Sequence, residues 1–77
     1  MLTYEKLGDD FVVIPALIYI NKGLDTTINK QIIQKSSIEA IKFYSSGIKP
    51  KSLIITKTVG EFRVEGVPEE IYKAIFQ

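Results

Sequence analysis

The longest apolar stretch of the chain, residues 11–20, reads Phe-Val-Val-Ile-Pro-Ala-Leu-Ile-Tyr-Ile, with no polar residue at any second position. Neighbouring side chains of a strand point to opposite faces, so Val12 and Ile14 face one way and Phe11 and Val13 the other. A strand with one wet face shows polar residues at alternate positions. Both faces of this strand are therefore expected to be covered, either by another subunit or by loops of the same chain. Phe11, Val13, Leu17 and Tyr19 are the candidate interface residues. Pro15 has no N–H for a ladder and marks an edge, a bulge or a break.

Shorter patterns flank this run. Residues 2–7 partly alternate and predict a short strand, closed by the turn signal Gly8-Asp9-Asp10. Asn21-Lys22-Gly23 is the next turn. Residues 24–37 fit either a helix capped by Asp25, carrying Ile28, Ile32 and Ile33, or a strand; β-branched Thr26, Thr27, Ile28, Ile32 and Ile33 favour the extended form. Residues 38–44 read as a strand with Glu39, Ile41 and Phe43 on one face and Ile38, Ala40, Lys42 and Tyr44 on the other. Gly47 and Pro50 punctuate the loop that follows.

Residues 52–58 and 61–65 predict a hairpin about Val59-Gly60, with Gly60 supplying a positive φ. A two-residue loop pairs Thr58 with Glu61, Thr56 with Arg63 and Ile55 with Val64. That register gathers Leu53, Ile55, Phe62 and Val64 on one face; a one-residue slip mixes the faces. Pro68 then suits the first position of a helix, and Glu69 and Glu70 suit its first turn. Ile71, Ala74 and Ile75 line one side of it and are expected to pack on Leu53, Ile55, Phe62 and Val64. The fold class is α+β. One small antiparallel sheet of four to five strands, built of hairpins, carries a C-terminal helix on one face, and residues 1–77 form a single domain.

Composition narrows the function. A 77-residue chain lies near the lower limit for a self-sufficient core, where a disulfide, a metal or oligomerisation commonly helps. Cysteine and histidine are both absent. That removes disulfides, thiolate metal sites, the commonest general base and any Ser-His-Asp or Cys-His set. No Gly-rich phosphate loop occurs. Asp9-Asp10 fits a turn better than a cation site, and the helix dipole already accounts for Glu69-Glu70. The expectation is a protein that is not an enzyme and takes no cofactor or metal. No basic-then-apolar leader and no apolar run of membrane-spanning length occurs, so a cytoplasmic location is expected, with no membrane partner.

With ten basic residues against nine acidic, the net charge is +1, which offers little electrostatic steering toward nucleic acid. A local strip remains. Lys49, Lys51, Lys57 and Arg63, with Tyr44 for stacking, are the candidate binding residues for nucleic acid or a nucleotide. Glu61 and Glu65 flank Arg63 and fit a solvated sheet face equally well. Residues 7–15 are loosely similar to the opening of small flagellar FlbD-type proteins. Residues 38–75 are loosely similar to the middle of LytTR-type DNA-binding domains, without the basic C-terminal reader loops that such a domain implies. Neither resemblance transfers a functional residue. The favoured expectation is a small interaction or assembly module, a homo-oligomer that binds a protein partner or small ligand. A phage or mobile-element accessory or inhibitor protein would have such a build. The alternative is a nucleic-acid- or nucleotide-binding protein using the basic hairpin face.

Overall fold

A computed structural model describes residues 3–20, 25–45 and 49–77, with backbone alone at 19–20 and 25–26. The expected turn at 21–23, the start of the first strand at Leu2 and Gly47 in the later loop lie outside the described residues. The elements run β1 (Glu5–Leu7), β2 (Phe11–Ile20), β3 (Asp25–Gln34), a 3₁₀ turn (Lys35–Ser37), β4 (Ile38–Ser45), β5 (Lys51–Thr56), β6 (Glu61–Glu65) and α1 (Pro68–Phe76). Of the 24–37 stretch, the described residues are extended from Asp25 to Gln34, as the β-branched residues implied.

The single sheet of four to five strands is corrected: the described residues form six strands in two antiparallel sheets, β1-β2-β3 and β4-β5-β6. The 3₁₀ turn separates them. Ser37 Oγ donates to the Gln34 carbonyl at 2.7 Å, and Lys35 N–H donates to the Asp10 carbonyl at 2.7 Å, fixing the corner against the β1–β2 turn. β2 runs unbroken through Pro15, which pairs with Lys30. β1 reaches only as far as Val13, so among the described residues β2 has no ladder on that flank from Ile14 onward and the missing N–H is tolerated. The same stretch of the molecule lies against β6 of the second sheet.

One core joins the layers. Val12, Ile14, Ile33, Ile54, Val64, Ile71 and Ile75 are buried together, with Tyr4, Ile38, Ile41 and Phe62 packed round them. Each large side chain taken from water stabilises by about 1.5–3 kcal/mol. α1 begins at Pro68 and buries Ile71 and Ile75, as the spacing predicts. Lys6 Nζ donates to the Gln77 carbonyl and ties β1 to the helix end.

The hairpin is where the sequence reading fails. Its loop spans residues 57–60, and the register is Ile55 with Glu61, Ile54 with Phe62, Leu53 with Arg63 and Ser52 with Val64. This lies three residues from the expected pairing. Ser52, Ile54 and Thr56 face the core with Val64, while Leu53 and Ile55 are only half-buried. The helix therefore packs with Ile54, not with Leu53 and Ile55. The two hydroxyls on the inner face are satisfied locally. Ser52 Oγ donates to the Gly66 carbonyl at 2.7 Å and Thr56 Oγ1 to the Gly60 carbonyl at 2.6 Å; Val59 N–H donates back to Thr56 Oγ1 at 3.2 Å. A buried hydroxyl costs little once bonded, so polarity did not force these residues outward. Gly60 has the positive φ expected of it, 87°.

β4 departs from simple alternation too. Register shifts between Ile38 and Ala40 and between Phe43 and Ser45 let Ile38 and Ile41 both reach the core side. An extra residue in one strand re-aims its side chains in this way. The expected split of Ile38 from Ile41 is corrected accordingly.

The register has a direct test. Ile54→Ala is expected to cost about 2–5 kcal/mol in urea unfolding, as a buried large-to-small change does. Leu53→Ala is expected to cost about 1 kcal/mol. Equal losses, or a larger one for Leu53, would contradict the pairing.

Candidate interaction surfaces

The pairing of the first sheet decides which side chains share its outer face. Leu7, Phe11 and Gln34 form one row; Glu5, Val13 and Ile32 the next; Pro15 and Lys30 a third; Leu17 and Ile28 a fourth. None of these belongs to the core cluster, which takes Val12, Ile14 and Ile33 from the opposite face. Leu7 is 42% exposed, Phe11 43%, Ile28 41% and Ile32 63%. Val13, Pro15 and Leu17 between them are buried by the same chain. The result is an apolar sheet face with a carboxylate and an ammonium set into it.

Of the interface residues read from sequence, Phe11, Val13 and Leu17 come together on this face. Phe11 alone of the three is open to solvent; the side chain of Tyr19 lies outside the described residues. The sequence reading missed Leu7, Ile28 and Ile32. The spacing Ile28-Lys30-Ile32 carries their signal, but only once residues 25–34 are known to be a strand paired to β2.

A second surface lies where the end of β2 meets the outer side of the second sheet. A cleft of about 380 Å³ is lined there by Leu17, Gln31, Tyr44, Leu53, Phe62 and Arg63, among others. The Arg63 guanidinium sits over the Tyr44 ring at 5.1 Å, a cation–π distance. Lys51 is on the same sheet face, directly opposite Glu65. Lys49 is exposed in the segment before β5. Lys57 is at the other end of β5, in the hairpin loop; six residues of strand put it about 20 Å from Lys51. The five candidate binding residues therefore do not form one strip. Tyr44, Lys51 and Arg63 gather, Lys49 flanks them, and Lys57 is separate.

A third surface is a groove of about 480 Å³ between β4 and α1, with Ile38, Ile41, Tyr72 and Phe76 on its walls. The Tyr72 and Phe76 rings are 5.0 Å apart and tilted by 37°. Neither residue is among the candidate site residues read from the sequence.

Among the described residues, no three acidic side chains gather as a metal-binding group, and no helix is long and apolar enough to cross a membrane. Comparison with protein-family models, curated proteins and solved structures gave no match, so neither of the two loose family resemblances gains support.

One polar atom is out of place. Tyr4 Oη is buried with no hydrogen-bond partner among the described residues, beside a cavity of about 190 Å³ lined also by Glu65 and Glu70. Burial raises the phenol above its ordinary value. The unfolded chain ionises Tyr4 from about pH 10 while the folded chain holds the proton. Its contribution to stability is therefore level below that pH and is lost above it. Tyr4→Phe is expected to be at least as stable as the parent at neutral pH and to lose part of the alkaline decline, measured by denaturant unfolding from pH 7 to 11. A variant clearly weaker at neutral pH would show that the hydroxyl holds a bond.

Proposed function

We propose that this chain is a non-enzymatic interaction module that pairs with a second copy of itself through the outer face of its first sheet. The observation that carries the reading is that Leu7, Phe11, Ile28 and Ile32 are exposed together on one face, in register. Contiguous apolar patches of this kind mark contact surfaces. The charges on the face suit a second copy. With a two-fold axis along β2, β1 of one copy lies over β3 of the other. Glu5 of the second copy then sits over Ile32, two residues along the strand from Lys30 and on the same face.

The size of the face sets the strength. Three strands about 4.8 Å apart and a ten-residue β2 span at most about 14 by 33 Å. That is on the order of 900 Å² over two copies, at the small end of specific interfaces. The pairing is accordingly weak and concentration-dependent. Sedimentation velocity over a wide concentration range is expected to show the coefficient rising toward a dimer. Ile32→Glu, at an exposed site that the fold tolerates, is expected to stay monomeric throughout. A wild-type coefficient that does not change with concentration would retire the reading.

A second reading has its own observation, the Arg63–Tyr44 stack at the cleft, which suits a nucleobase and a phosphate. If the chain binds nucleic acid there, single-stranded oligonucleotides shift in a gel at low salt and Arg63→Glu removes the shift. An unchanged shift in the variant excludes the cleft.

A further inference from the structure

We propose that the groove between β4 and α1 takes an extended peptide segment of another protein as an added strand, apolar at alternate positions and basic between them. This inference is independent of self-pairing through the first sheet, because it uses a different edge of the molecule.

The backbone supplies the first half of the site. β4 ladders with β5 on one side, and among the described strands its other edge has no partner. Its regular run is residues 40–43, bounded by the two register shifts. Every second residue of that run turns its N–H and C=O away from β5. Edges of this kind are usually covered, charged or cut short, since they accept any strand. Here the edge borders an open groove, and strand addition is the binding mode such an edge supports.

Side chains supply the other half. The groove wall is apolar, with Ile38 and Ile41 from β4 and the Tyr72–Phe76 pair from α1. Tyr72 is 50% exposed and Phe76 39% exposed, on a helix that already buries Ile71 and Ile75 in the core. Both rings stay part-open to solvent, and paired exposed aromatics make strong contact points. An added strand presents alternate side chains to this wall, which fixes the alternation of the ligand.

Charge fixes the occupant. Glu39 and Glu69 line the groove against one cation, Lys73. A segment with basic residues between its apolar ones complements that excess. A second copy that laid its own β4 edge in the groove would bring Glu39 with it and is disfavoured there.

The test uses the full chain and defined probes, an end-blocked eight-residue peptide alternating valine and lysine and its valine–glutamate counterpart. In ¹H–¹⁵N NMR titrations the lysine peptide is expected to shift the amides of residues 40–43 together with Tyr72 and Phe76. It should bind about tenfold more tightly than the glutamate peptide. A central proline should abolish binding, because it removes a ladder donor. Tyr72→Ala, at a half-exposed site, should weaken binding at least about fivefold with the parent spectrum otherwise retained. Glu69→Lys should erase the charge preference. Shifts centred on the first sheet, equal binding of the two peptides, or no binding at millimolar peptide would overturn the proposal. Ile32→Glu should bind the lysine peptide as the parent does, which separates failure here from failure of the self-pairing.

Discussion

The contact on which the rest depends is the meeting of Val12 and Ile14 from the first sheet with Ile54 and Val64 from the second, closed by Ile71 and Ile75 of the helix. The two three-stranded sheets would each bury little apolar surface alone. Packed on one shared set of isoleucines and valines, they let a short chain without disulfides hide a core. The helix, at nine residues, is too short to persist without that contact. The arrangement also spends one face of β2 on the core and leaves the other face to its own row of apolar neighbours.

That division explains the functional reading. A strand apolar on both faces needs two covers. The core provides one. On the other face Val13, Pro15 and Leu17 are screened by the same chain, while Leu7, Phe11, Ile28 and Ile32 remain open around them. The free edge of β4 and the rings of Tyr72 and Phe76 lie on a separate part of the surface. The proposed self-pairing and the proposed peptide groove therefore use separate parts of one small fold.

Much of the fold was legible in the pattern of residues. The turn at Gly8, the long strand from Phe11, the extended character of residues 25–34 and the helix at Pro68 all follow from β-branching, glycine and proline placement. The division into two sheets was not legible, because alternation marks a strand without naming its neighbour. The hairpin register was misread for a chemical reason. The expected pairing of Thr56 with Arg63 turns Thr56 outward, yet Thr56 and Ser52 each carry a hydroxyl that a nearby glycine carbonyl satisfies inside. The shifts in β4 were hidden likewise, since no single residue announces them. Phe11, Val13 and Leu17 share one face of β2, as alternation implies, but only Phe11 is open to solvent. The basic strip was legible only in part, because distance along β5 separates Lys57 from Arg63 and Lys51.

The claim that the outer face of the first sheet is a contact surface is tested most directly by isotope-filtered NMR on a sample mixing labelled and unlabelled chains. Intermolecular contacts are expected from the methyl groups of Leu7, Ile28 and Ile32 to the Phe11 ring and its neighbours on the second copy. A concentrated sample with no intermolecular contact from those groups would contradict it.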